Sequence, residues 1–292
     1  MIESFLRYIE FEKRFSKHTV VSYKTDLFQF QDFLQHNYDT NDLSEASFSM
    51  IRSWIANLVE LKNEPRSVNR KIATLRSFYK FLLRQGVLTK DPMLKVKVLK
   101  TQKRLPEFVK EEEMNQLLDR VIFQNTFEGL RDKLIMELLY GSGMRLAELL
   151  QLTDSSINIS SRTIRVLGKR NKERIIPFGE NLVPIIKSYQ EMRNREVGRN
   201  DKNLLFITDQ GQPAYRMMIQ RTVKKYLKAT GVEKKSPHVL RHTYATHLLN
   251  KGAEINAVKD LLGHSSLAAT QVYTHNTMEK LKKAFEQAHP KA

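Results

Sequence analysis

The chain of 292 residues contains no cysteine. Disulfides, thiolate metal sites and cysteine nucleophiles are thereby excluded. No stretch approaches the roughly 18 uninterrupted apolar residues of a membrane-spanning helix. Met1 to Arg14 is dense in charge and lacks the apolar run of a secretory signal. There is no internal repeat and no low-complexity tract, and the cytosol is the expected location. Acidic residues are in short supply: 32 Asp and Glu face 49 Lys and Arg, a net charge of +17. A field of that sign favours a polyanion, whether DNA, RNA or an anionic membrane face, and nucleic acid above the others. With 41% hydrophobic residues the chain has core enough for about two domains.

The basic excess is uneven. Residues 1–61 net −3, residues 62–104 net +11 and residues 105–292 net +9. The basic segment is amphipathic. Between Ser67 and Arg84, Ile72, Leu75, Tyr79 and Leu82 recur at helical spacing, while Arg76, Lys80 and Arg84 share another face. Ser67 is the expected cap and Gly86 the expected stop. Such a face offers cations to phosphates one turn apart without reading sequence; an exposed basic helix with no ligand is the plainer alternative. Helical patterns also cover about residues 2–13, 19–37 and 47–62. Four helices with short joins make a compact all-α domain over residues 1–94. Residues 95–109 are basic, lack a period and contain Pro106, and are expected to be a linker.

The remainder, 110–292, is expected to be an α-rich domain with one β-hairpin. Thr163–Leu167 and Arg174–Pro177 are its strands, with turn residues between them. Helices are expected near 111–118, 130–139, 180–196, 214–229, 238–251, 254–262 and 266–273. A final apolar stripe of Met278, Leu281, Phe285 and Ala288 needs a partner.

Four pieces of this second domain carry chemistry. In Tyr140-Gly-Ser-Gly-Met-Arg145-Leu-Ala-Glu148, two glycines end an apolar helix and Arg145 opens the next. An arginine beside a helix N-terminus makes an anion site, with Glu148 placed to orient it; a weak surface ion pair is the alternative. Gly168-Lys169-Arg170-Asn171-Lys172 gathers cations that reach a groove or merely solubilise a loop. His238 and Arg241 share a helix face behind Ser236-Pro237, an expected cap and first-turn proline. His238 and His242 also have the spacing of a zinc-protease helix, but Val239 stands where that motif needs glutamate, and a third ligand is lacking. Last come Gly263-His264-Ser-Ser266 and Tyr273.

Taken in order, Arg145, Lys169, His238-x-x-Arg241, Gly263-His264 and Tyr273 resemble the tyrosine recombinase family, and its Xer-type members in particular. Leu262-Gly-His-Ser-Ser266 with Tyr273, and His238-Val-Leu-Arg-His-Thr-Tyr-Ala-Thr-His247, are the most specific matches. Thr19-x-x-x-Tyr23-x-x-Asp26-Leu27 and the terminal His289-Pro-Lys-Ala292 extend the resemblance to nearly the whole chain. It implies a mainly α protein, with a four-helix SAM-like core-binding domain followed by a catalytic domain that has a small antiparallel sheet.

The resemblance also implies the chemistry. Tyr273 is the nucleophile that forms a 3′-phosphotyrosyl link. Arg145, Arg241 and His264 stabilise the phosphorane-like transition state. Lys169 protonates the leaving oxygen, with Lys172 as the other candidate, and His238 is the nearby base. Glu148 acts through Arg145 at most. Neither ATP nor a metal or other cofactor is needed. Arg76, Lys80, Arg84, Arg170 and Lys172 are expected to touch double-stranded DNA, with no membrane partner. The C-terminal stripe is implied to dock in trans, giving a homo- or hetero-tetramer with a second Xer-like recombinase; a DNA translocase as a further partner is left open. Against this stand a DNA-binding protein without turnover, a type IB topoisomerase and an integrase of a mobile element. The last often carries an added arm-binding domain, for which this chain has no room, so multimer resolution in chromosome partition is the expected role.

Overall fold

Helix ends in the first of the two units, Met1–Arg104, follow side-chain chemistry. The computed structural model describes residues 1–101, 107–120, 123–168, 173–198, 203–263 and 285–290. Helix α1 (Ile2–Arg7) continues as a π-helical turn over Tyr8–Glu12. The Ser16 hydroxyl caps α2 (Lys17–Tyr38) by accepting Thr19 N–H, and Ser47 caps α3 (Phe48–Glu60) through Met50 N–H. Helix α4 (Pro65–Arg84) starts on Pro65 and not at Ser67: the missing proline N–H costs nothing in a first turn, where it would have no partner. Gly86 ends it at a φ of +70°, the left-handed geometry that glycine adopts freely.

The apolar face of α4 (Ile72, Leu75, Phe78, Tyr79, Leu82) packs with Phe5, Leu27, Phe30 and Trp54 in the core of this unit. Asp26, fully buried on α2, accepts from Arg70, from Lys71 Nζ (3.0 Å) and from Thr74 Oγ1 (2.9 Å), and so ties α2 to α4. The segment expected as a linker is packed at both ends. Val96 and Leu99 lie on the first core. Asn69 donates to Leu99 O (2.9 Å) and accepts its N–H (2.8 Å), and Arg76 donates to Val96 O (3.0 Å). Val109 is buried in the core of the second unit. Its N–H donates to Thr243 Oγ1 (3.0 Å), and its carbonyl lies 2.9 Å from His247 Nε2.

That second unit, Leu105–Ala292, begins with α5 (Glu111–Asn115) and a π-helical turn at Gln116–Arg120. Helix α6 (Phe127–Ser142), buried along most of its length, is followed by the short α7 (Leu146–Leu149). The sheet has three antiparallel strands in order: β1 (Ile157–Asn158), β2 (Thr163–Leu167) and β3 (Glu173–Pro177). Ile164 faces Ile176 and Val166 faces Arg174 across β2 and β3. The hairpin is where the alternating pattern puts it; β1, two residues long, is an addition. Helices α8 (Leu182–Glu196), α9 (Arg216–Tyr226), α10 (Pro237–Asn250) and α11 (Ile255–Leu262) complete the unit, with α8 and α10 packed on α6. Pro237 opens α10 as expected, but the Ser236 hydroxyl makes no capping bond among the described residues.

A smaller apolar cluster joins Tyr244, Leu248, Val258, Leu261 and Leu262 to Phe285 and Ala288. This end of the C-terminal stripe therefore sits in cis in the single chain, where those side chains give it an apolar seat. Met278, Leu281 and the helix expected at 266–273 lie outside the described residues. Among the described residues no helix is long and apolar enough to cross a membrane.

Candidate active site

Helix α6 runs through Gly141 and ends at Gly143, whose φ is +59°. A Cβ at residue 143 would run into the Tyr244 ring and lie 3.0 Å from Leu262 Cδ2. The turn thus needs glycine for its backbone and for its neighbours. It sets Arg145 as the residue capping α7. Glu148 Oε2 accepts Arg145 N–H (2.7 Å), and Oε1 accepts from the Arg145 guanidinium (2.9 Å).

This is more than an exposed ion pair. Glu148 is 4% exposed, and its two oxygens also accept a bidentate pair from Arg174 (2.7 and 2.8 Å). Burial pushes the Glu148 carboxyl up, but the hydrogen bonds and charge of Arg174, together with Arg145, outweigh it and hold the pKa at about 2. No motif in the sequence singles out Arg174. Its one signal was an arginine at an inward position of β3, between polar Glu173 and apolar Ile175-Ile176.

Arg241, on α10, donates to Gly143 O (2.6 Å) and Leu262 O (2.7 Å). Burial, helped by the charges of Arg145 and Arg174, lowers its pKa to about 10, which leaves it charged at neutral pH. The C-terminus of α11 gathers all three arginines. Gly263 ends that helix at a φ of +64°. Three successive carbonyls each receive one guanidinium: Leu261 O from Arg174 Nε (3.1 Å), Leu262 O from Arg241, and Gly263 O from Arg145 (3.1 Å). Carbonyls at a helix end have no intrahelical donors and carry the negative end of its dipole. Three cations there satisfy both demands.

His238, exposed in the first turn of α10, lines one concavity with Arg145 and Arg241. Arg216 and Gln220 of α9 line it too; nothing in the sequence singles Arg216 out from the other cations. The structure therefore brings together Arg145, His238 and Arg241. Lys169, Arg170, Lys172, His264 and Tyr273 lie outside the described residues. By chain order the first three join β2 to β3, and His264 follows Gly263. Tyr244, packed on Gly143, is fully buried, and desolvation pushes its phenol well above the ordinary value. That makes it no candidate nucleophile.

Of the α4 cations, Lys80 is exposed, Arg76 holds Val96 O, and Arg84 stacks over Tyr8 at 5.0 Å. Chemically, Arg145 and Arg241 are two guanidiniums whose forks are fixed by carbonyls and a carboxylate while donors remain on each. A pair of this kind suits the non-bridging oxygens of a phosphodiester.

Two family models match the chain: the phage integrase family over residues 107–280, and the phage integrase N-terminal SAM-like domain over residues 2–86. Among curated relatives, tyrosine recombinase XerC of Chlorobaculum tepidum is 35% identical, spanning 99% of this chain and 94% of that protein. Tyrosine recombinase XerD of Staphylococcus haemolyticus is also 35% identical, spanning 100% of this chain and 99% of its own. Among solved structures, the XerH site-specific recombinase bound to palindromic difH substrate, a post-cleavage complex, shares the fold with a TM-score of 0.74 at 20% identity, over 97% of this chain and 84% of that one.

Proposed function

The chain belongs to the phage integrase family of tyrosine recombinases, enzymes that break and rejoin DNA, and on that premise we propose that it is a cytoplasmic Xer-type recombinase that resolves chromosome or plasmid multimers. The observation that carries the chemistry is the convergence of Arg145, Arg241 and His238 on one concavity. The full-length likeness to both XerC and XerD supports the biological role.

In the proposed reaction the Tyr273 phenol oxygen attacks the scissile phosphorus. A phenol with a pKa near 10 is about 0.1% ionised at pH 7, so it needs a base and cationic neighbours. His238 takes its proton. The new phosphorus–oxygen bond forms as the bond to the 5′ oxygen breaks. Lys169, or Lys172 in its stead, gives that oxygen a proton. Arg145, Arg241 and His264 face the charge that grows on the non-bridging oxygens, each contributing on the order of 10²–10³ in rate. The 5′-hydroxyl of a partner strand then attacks the 3′-phosphotyrosyl link and returns the tyrosine. One phosphoester replaces another at every step, so no ATP is consumed. Lys80, Arg76 and Arg84 of α4, with Arg170 and Lys172, contact duplex phosphates. Strand exchange needs four such sites, hence a tetramer of this chain alone or with a second Xer-like recombinase, in which the C-terminal stripe exchanges its cis seat in the single chain for the equivalent seat on a neighbouring protomer.

The test is covalent trapping. Nicked duplexes from the chromosome-dimer resolution region of the source organism are incubated with the protein and resolved in SDS. An adduct is expected with the parent chain and none with Tyr273→Phe. An adduct that persists in Tyr273→Phe rejects the nucleophile. Tight binding with no adduct, even after the organism's second Xer-like protein is added, rejects turnover.

A further inference from the structure

Arg174 has no part in the chemistry assigned above, yet at 4% exposure it is buried more deeply than Arg241 at 9%, and Arg145 is only half-buried. A buried ion pair is not needed to fill space, since apolar residues of similar volume often stabilise a core as well or better. Its contacts show what it does instead. Both terminal nitrogens hold Glu148 (2.7 and 2.8 Å), and Nε holds Leu261 O (3.1 Å). Glu148 is the carboxylate that receives Arg145 at 2.9 Å through its guanidinium and 2.7 Å through its N–H. Leu261 O is the first of the three carbonyls whose third also receives Arg145. Arg174 thus touches both supports of Arg145, the carboxylate and the helix end. The packing leaves no slack: a Cβ at Gly263 would lie 3.0 Å from Arg174 Cδ.

We propose that Arg174 is a positioning residue for phosphodiester cleavage: clamped between Glu148 and the Leu261 carbonyl, it sets the place of the Arg145 guanidinium against the scissile phosphate without touching that phosphate. The proposal rests on the assignment of Arg145 to the phosphate. Its chemistry requires arginine. A planar fork serves a carboxylate edge and a carbonyl at once, whereas a lysine ammonium is a point charge on a flexible stem and does not fix both. With Arg174→Lys the charge balance survives and the geometry does not. Displacing a transition-state group by about 1 Å costs on the order of 10²-fold in rate.

The experiment compares the parent chain, Arg174→Lys and Arg145→Ala in single-turnover cleavage of the site found by trapping. One substrate carries the ordinary scissile phosphate and the other a scissile methylphosphonate. The methylphosphonate lacks the non-bridging charge that an arginine neutralises, so its cleavage depends less on Arg145. Arg174→Lys is expected to stay folded and to bind DNA like the parent, and to cleave the phosphate about 10²-fold more slowly, a deficit that shrinks by about tenfold on the methylphosphonate. Arg145→Ala is expected to show the same relief. An equal deficit on both substrates, or no deficit, overturns the proposal and leaves Arg174 a packing residue. If Arg145→Ala cleaves the phosphate normally or gains no relief, the assignment of Arg145 has failed instead. Should Arg174→Lys fold poorly, Glu148→Gln reads the same coupling from the carboxylate side. It keeps the shape and loses the charged bidentate pair, and cleavage by it that is insensitive to the substrate overturns the proposal equally.

Discussion

Replacing Glu148 with alanine removes one carboxylate from between Arg145 and Arg174 and leaves a guanidinium buried without its counter-charge. Two routes give the size of the effect. The carboxyl is held at about 2 against an ordinary 4.5, which corresponds to roughly 3 kcal/mol of stability at neutral pH. Deleting one partner of a buried pair costs about 3–5 kcal/mol. The sign follows from the lowered pKa: the contribution is complete above pH 4.5 and is lost as the pH falls towards 2, so parent and variant converge in acid.

The assay is urea unfolding at neutral pH, followed by far-UV circular dichroism and by tryptophan fluorescence. Trp54, the single tryptophan of the chain, is buried in the core of the first unit, so its emission reports that unit. With a slope of about 2 kcal/mol/M, the dichroism midpoint of the second unit should drop by roughly 1.5–2.5 M urea. The fluorescence midpoint should stay in place. The double variant Glu148→Leu with Arg174→Met should recover part of the loss, because it removes the deeply buried guanidinium and leaves only the half-buried Arg145 without its carboxylate. A cost for Glu148→Ala below about 1 kcal/mol, the range of an exposed pair, would refute the burial reasoning, as would a double variant no better than the single one.

Asp26→Ala is the mirror experiment. It strands Lys71, which is 6% exposed, and should lower the Trp54 transition by about 3–5 kcal/mol while the second unit unfolds as before. In Gly143→Ala, left-handed backbone costs about 1–2 kcal/mol and overpacking against Tyr244 about 1–3 kcal/mol more. A thermal melt coincident with the parent's would contradict both. Lys80→Ala should reduce the slope of log K for duplex DNA against log[salt] by about 1. Arg76→Ala should lower that slope as well and, through the lost bond to Val96 O, also lower first-unit stability; an unchanged Trp54 transition would count against that second role.

Helices were legible wherever one face is buried, because periodicity records burial. The apolar residues of α4 fall where the pattern predicts, whereas its start does not: the helix opens on Pro65, two residues before the serine expected to cap it, and the caps Ser16 and Ser47 were not singled out by the sequence. What periodicity does not record is which distant group a polar side chain will meet. Arg76 sits on the face read as phosphate-binding, yet it holds a carbonyl twenty residues away in sequence. Val96 and Leu99 stand in a lysine-rich stretch with no period, and Asn69, thirty residues upstream, anchors it. Strand β1 is too short for alternation to show. Arg145, His238 and Arg241 were legible as motifs, but their convergence came from the resemblance and not from spacing. Beyond its inward strand position nothing in the sequence marked Arg174, because its partners lie 26 residues before it and 87 after it.

The same arrangement suits the site to an anion. Among the described residues, Arg145, Arg174 and Arg241 gather around one carboxylate, and like charge contributes to the lowered pKa of Arg241. The three carbonyls ending α11 offset part of that repulsion but bring dipoles, not a full charge. Arg174, at 4% exposure, has all three of its nitrogens engaged, whereas Arg145 and Arg241 line the concavity with N–H donors to spare. In the proposed reaction a phosphodiester arriving there would supply the missing negative charge to groups already held in place, and the charge developing during cleavage would strengthen that attraction further. Donors fixed before the substrate binds need no reorganisation as the reaction proceeds. On that proposal the packing that holds them, Gly143 against Tyr244 and Gly263 against Arg174, is expected to act on the rate as well as on stability.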